Sequence, residues 1–132
     1  MDLDAIERHV IALATRIGAD PAYLPTYGTS RQDGTPHIEV GRTYDFVVCE
    51  RGSERDRLSL ANLDALLYRV FSSVTFSMAS RHELAYRRAG EDCRRQLFSE
   101  QVRLLAILAP AWAAQEAVRH GRILERHPFV DG

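Results

Sequence analysis

Cysteine is scarce, with only Cys49 and Cys93 among 132 residues. Far apart and in unlike settings, the two offer neither a metal-ligand spacing nor a redox pair, and buried free thiols are expected. Charge of one sign is also lacking: 17 basic residues nearly balance 18 acidic ones, for a formal net charge of −1. No global field draws the chain toward nucleic acid or an anionic membrane, so neither is expected as a partner. No apolar run approaches the roughly 20 residues that span a bilayer. The longest, Leu104 to Ala114, contains Pro110. The start, Met1-Asp2-Leu3-Asp4, is acidic and leads into an amphipathic helix, unlike the basic start and apolar run of a secretory signal. Together these absences predict a cytoplasmic protein.

Reactive apparatus is missing as well. His9, His37, His82, His120 and His127 are scattered, with no HExxH or comparable helix-face pair, which predicts surface or capping histidines and no metal site. No Gly-x-Ser-x-Gly elbow surrounds any serine, and Gly28-Thr29-Ser30 lacks the Gly-Lys context of a phosphate loop. No catalytic residue and no cofactor is therefore assigned. Glu39, Asp45 and Glu50 can approach one another across a hairpin, but solvated faces and salt bridges explain such carboxylates more often than acid/base chemistry.

The mixture that is present, 45% hydrophobic and 27% charged, is that of one globular domain over residues 1–132. Leu3, Ile6, Val10, Leu13 and Ile17 share a helical face, with Asp2 as cap and Gly18 as stop. Pro21, Pro25, Gly28 and Gly34 punctuate the next stretch, where Leu24 to Thr29 reads as a short edge strand. His37 to Val40 and Thr43 to Glu50 form a hairpin about Gly41-Arg42. Arg51 to Arg57 reads as a charged loop. Ser59 is then placed as the cap of a long helix with the stripe Leu60, Leu63, Leu67, Val70, Val74 and Met78, bending or breaking near Ser72 to Ser77. A third helix from about Glu91 uses Leu97, Phe98, Val102, Leu105 and Leu108. Pro110 opens a last one carrying Trp112 and Leu124. The class is α+β: an N-terminal helix, a small antiparallel sheet (a hairpin or a three-stranded meander), then a mainly helical C-terminal half.

Two charged clusters, Glu50 to Arg57 and Asp92-Cys93-Arg94-Arg95, mix signs closely. Intramolecular pairing that fixes turns is favoured for Glu50, Arg51, Asp92, Arg94 and Arg95. Tyr27, in a Gly- and Pro-rich loop, is the aromatic best placed to meet a partner.

The ordered series Glu50-Arg51-Gly52, Asp64 to Phe71, Val74-Thr75, Met78-Ala79, Glu83-Leu84, Arg87, Asp92 to Phe98, Gln101, Leu104-Leu105, Trp112 and His127-Pro128-Phe129 resembles the bacterial immunity protein 63 family over about residues 24–129. The resemblance implies a cytoplasmic antitoxin of polymorphic toxin systems, with a cognate toxin as partner and no family catalytic residue to carry over. If that toxin binds nucleic acid, Asp33, Glu39, Asp45 and Glu54 are the acidic groups available to mimic phosphates. The other readings are a small enzyme using Glu50, Arg51, Asp92, Arg94 and Arg95 on an anionic substrate, or a structural subunit self-associating through Ala109, Ala113 and Ala117. The chain alone is expected as a monomer or weak homodimer.

Overall fold

The computed structural model describes residues 1–132. It divides into two compact units, Met1–Val70 and Phe71–Gly132.

The first unit opens with α1 (Leu3–Ile17). The Asp2 carboxylate accepts a hydrogen bond from the Ala5 amide at 2.8 Å, and Gly18 closes the helix in the left-handed conformation at φ 66°. Ile6, Val10 and Ala14, spaced four apart, are its buried face. A single 3-10 turn, Pro21–Tyr23, leads to the short strand β1 (Thr26–Tyr27), which lies within the stretch expected to form an edge strand. Strands β2 (Asp33–Val40), β3 (Tyr44–Glu50) and β4 (Ser53–Leu60) follow, in sheet order β1-β2-β3-β4. β2, β3 and β4 are antiparallel neighbours, and β1 runs parallel to β2. The architecture is α+β, but the sheet is four-stranded and mixed, larger than the expected hairpin or three-stranded meander. α1 packs against β2, and Ile38, Phe46, Val47, Leu66, Leu67 and Val70 complete the buried apolar set of this unit.

β4 corrects the reading of Arg51 to Arg57 as a loop. Arg51 and Gly52 both have positive φ, 52° and 77°, as the two central residues of a type I′ hairpin turn require. Gln32 supports the turn: its carbonyl accepts from the Arg51 amide at 3.0 Å and its side-chain oxygen from the Gly52 amide at 2.6 Å. The strand consequently absorbs Ser59 and Leu60. The cap of α2 (Leu63–Ala85) is Asn62, whose side chain accepts from the Ala65 amide at 2.9 Å. α2 runs unbroken through Ser72 to Ser77, because the hydroxyls there find partners: Thr75 Oγ1 donates to the Phe71 carbonyl at 2.5 Å and Ser72 Oγ to Glu116 at 2.5 Å.

In the second unit α3 (Cys93–Leu108) and α4 (Pro110–Arg126) pack as an antiparallel pair joined through Ala109. α3 begins at an Asp92 cap and α4 at Pro110, in agreement with the sequence pattern. The buried face of α3 is Leu97, Gln101, Leu104, Leu105 and Leu108, so Phe98 and Val102 lie at its margin. Trp112 of α4 stacks on Phe71 with ring centroids 6.2 Å apart. Of the small-residue run, Ala113 is buried and Ala117 exposed.

Candidate partner-binding surface

Cross-strand partners share a face of a sheet. The rows Glu39–Asp45–Ser59 and His37–Val47–Arg57 therefore project to the same side of β2, β3 and β4. Glu54, opposite Cys49, joins them beyond an irregularity at Val48 and Cys49.

Arg57 is the hub of this face. Its guanidinium donates to Asp45 at 2.6 Å, to Glu39 at 3.2 and 3.3 Å, and to Glu54 at 2.8 and 3.1 Å. A planar fork of five donors can serve three carboxylates at once, which an ammonium point charge cannot. All 17 basic residues of the chain are arginine; the sequence contains no lysine. The hydrogen bonds from Arg57 to Glu54, then Glu39 and Asp45, raise its pKa above the ordinary arginine value. Asp45 is held below the usual carboxylate range by the Thr43 hydroxyl, 2.6 Å away, and by Arg57 and Ser59 against the opposing effect of burial. Glu39 is lowered first by His37 and then by Arg57. Asp45 and Glu39 are thus both held toward the charged form, and one guanidinium faces three carboxyl side chains. The face stays open to solvent: the Glu39 and Glu54 side chains are 41% and 47% exposed, Arg57 34% and Asp45 16%.

His37, expected at the surface, is instead buried beside this cluster. Its Nε2 donates to the Glu39 carboxylate at 2.7 Å, while Nδ1 is enclosed without a partner. Glu39 and Asp45 converge as carboxylates across the hairpin should, but Glu50 does not join them. It faces Ser53 across the turn and reaches Arg55 at 4.0 Å. Asp33 also lies apart, exposed at the far end of β2, with its carboxylate accepting from the Thr35 amide at 2.9 Å. Tyr27 is not the free loop ring that its Gly- and Pro-rich surroundings suggest. It sits in β1 in register with Ile38, on the other side of the sheet from Glu39, with its hydroxyl enclosed.

The second charged cluster is a clasp. Asp92 caps α3 through the Arg94 amide at 2.9 Å, accepts from the Arg94 guanidinium at 2.8 Å, and takes the Val130 amide at 2.9 Å. Arg94 reaches the His127 and Pro128 carbonyls at 2.8 and 2.9 Å. Arg95 pairs with Asp131 at 2.9 Å and lies 4.1 Å over the Phe129 ring. The Asp-Cys-Arg-Arg and His-Pro-Phe stretches are therefore two halves of one structural contact. Cys93, expected to be buried, is exposed there, and Cys49 is half-buried.

Sequence reasoning missed a third group, buried in the helical unit. Glu116 and Gln101 are fully buried and His120 nearly so. Ser72 Oγ donates to Glu116 at 2.5 Å, Arg119 donates to it at 2.9 Å, and Gln101 Nε2 donates to the Ser72 carbonyl at 2.9 Å. His120 Nε2 lies 2.9 Å from Gln101 Oε1, which places the imidazole hydrogen on Nε2, and its ring stacks on Phe98 at 3.9 Å. A signal existed: residues 112, 116 and 120 share one helical face, and two of the three are polar where the stripe should be apolar. No group of three or more His, Cys, Asp or Glu gathers closely enough to hold a metal ion.

The family model described as Immunity protein 63 matches residues 41–122, more than half of the chain, from the β2–β3 turn to the last turns of α4. The chain belongs to the immunity protein 63 family. The match is narrower than residues 24–129 and leaves α1, β1 and β2 outside it. The curated proteins and the solved structures contain no match to this immunity protein 63 family member. Within the matched segment lie Asp45, Glu54 and Arg57 of the open sheet face, the Asp92 cap and the Glu116 network. No helix is long and apolar enough to cross a membrane.

Proposed function

We propose that the protein neutralises a cognate bacterial toxin domain by direct contact in the cytoplasm, and that it meets the toxin through the open sheet face around Arg57. The family membership supports an immunity role. The observation that carries the choice of surface is the gathering of Glu39, Asp45 and Glu54 about one arginine. Charges fixed in position by mutual hydrogen bonds lose little freedom on binding and steer a basic partner into register. A toxin that grips nucleic acid would present such a basic surface, and the carboxylates would stand in for phosphates. The role is binding and not catalysis: Asp92, Arg94 and Arg95 are engaged with one another's segment and with the C-terminal residues.

The test is co-purification with the product of the neighbouring upstream gene, followed by binding kinetics. A dedicated inhibitor should bind at nanomolar Kd, about −12 kcal/mol. Replacing Glu39 and Glu54 by Gln and Asp45 by Asn should slow association by roughly tenfold or more at low salt, with the difference shrinking as salt rises. An unchanged association rate would remove the sheet face from the interface, and no complex at all would remove the immunity reading.

A further inference from the structure

One row of residues crosses the whole sheet on the Arg57 face: Thr26 of β1, His37 of β2, Val47 of β3 and Arg57 of β4 stand opposite one another in turn. Val47 is fully buried and His37 is 4% exposed, whereas Arg57 reaches solvent. Glu39 lies two residues along β2 from His37 and so projects on the same side. One oxygen of its carboxylate, Oε2, accepts from His37 Nε2 at 2.7 Å and from Arg57 at 3.2 Å. A carboxylate takes a hydrogen, so the imidazole carries its hydrogen on Nε2 and keeps a bare lone pair on Nδ1. That lone pair is enclosed and has no partner. Beside Val47 an apolar side chain would fill the same place without stranding a polar atom, so packing does not account for an imidazole there. Its bond to Glu39 does.

We propose that His37 is a positioning residue of the toxin-binding face, holding the Glu39 carboxylate beside Arg57, where a basic group of the toxin meets it. The inference rests on the sheet-face reading given above. Sealed beneath the face, His37 does not touch a partner itself. A glutamate is rich in side-chain rotamers, and 41% of this one is exposed. Arg57 alone fixes it poorly, because the same guanidinium also serves Asp45 and Glu54. The buried imidazole adds a second donor, from a fixed direction and shielded from competing water. Of the effects that hold Glu39 below the ordinary glutamate range, the hydrogen bond from His37 is the largest and that from Arg57 the next. An anchored carboxylate loses less freedom on binding than a free one, so His37 acts on recognition through Glu39.

The first measurement needs no toxin. In the full chain, the ¹³C shift of the Glu39 side-chain carboxyl is followed against pH for the wild type, His37→Leu and His37→Gln. His37→Leu should move the Glu39 titration up toward the ordinary glutamate value, and His37→Gln, which keeps an N–H donor of similar reach, should keep it low. An unchanged titration in His37→Leu overturns the proposal. Should that variant fail to fold, His37→Phe, closer in shape to the imidazole, is read in the same way. Association with the co-purified toxin is then timed at low salt. His37→Leu should slow it at least about threefold, add nothing to the effect of Glu39→Gln, and be rescued by His37→Gln. Wild-type association in His37→Leu, with Glu39→Gln slow, overturns the positioning role and leaves the sheet face in place. If Glu39→Gln itself leaves association unchanged, His37 has no contact to position and the proposal falls, while the triple replacement of Glu39, Asp45 and Glu54 decides the sheet face separately. Absence of any toxin complex overturns the immunity reading and this role with it.

Discussion

Glu116 shows how much one residue can depend on its neighbours. Burial alone would raise its carboxyl, but the Ser72 hydroxyl, the Arg119 guanidinium and His120 outweigh that and hold it below the usual range. Removing a buried, hydrogen-bonded charge strands its partners, and breaking such pairs costs about 3–5 kcal/mol. Glu116→Ala should lose stability of that order in urea unfolding, most of it absent from the exposed Arg119→Ala. A loss below about 1 kcal/mol, the level of a surface pair, would show that the network is not coupled. Gly52 makes a different demand. Its positive φ is awkward for any side chain, yet a Cβ there meets no atom within 4 Å. Gly52→Val should therefore cost about 1–2 kcal/mol through backbone strain alone. A neutral result in thermal melts would mean that the turn can relax.

At the scale of elements, α1, the β2–β3 hairpin and the Pro110 start of α4 were legible because periodicity, caps and turn residues agree there. β4 was not, because the alternation that marks a strand requires one buried face, and its first seven residues are all exposed. Its eight residues, Ser-Glu-Arg-Asp-Arg-Leu-Ser-Leu, are mostly polar, and pairing with β3 makes the strand. The Arg51-Gly52 dipeptide was the available clue, since glycine beside a strand end commonly marks a hairpin. The edge is also protected. Where Val48 and Cys49 shift register against β4, the strand carries an extra residue, and a bulge among charges discourages edge-to-edge pairing. The acidic site was half legible for a related reason. Glu39, Asp45 and Glu54 were nameable as acids near the sheet, but Arg57 joins them only once β4 is a strand, and Tyr27 and Asp33 fall elsewhere.

For the whole molecule, acid should act in two stages. Burial, with Arg119 adding and Glu116 opposing, pushes His120 below its ordinary pKa. The unfolded chain then takes up a proton near pH 6.5 that the folded one refuses, so stability falls as the pH drops below that value. The depressed carboxylates, among them Glu39, Asp45, Asp92 and Glu116, contribute stability above roughly pH 4 that is lost on further acidification through their folded values. Melting temperatures measured from pH 8 to 3 should show both stages, and His120→Gln should remove the first while keeping the second. If the first survives the substitution, another group controls it.

The arginine hub has a consequence for how a complex would be caught. With no lysine in the sequence, amine-directed cross-linkers and acylating enzymes find no side chain to modify anywhere on the sheet face. Its charge is therefore closed to lysine acetylation as a means of control. Carboxyl-activating chemistry, by contrast, meets Glu39 and Glu54 directly, and a lysine donated by a bound partner would become the amine that records the contact.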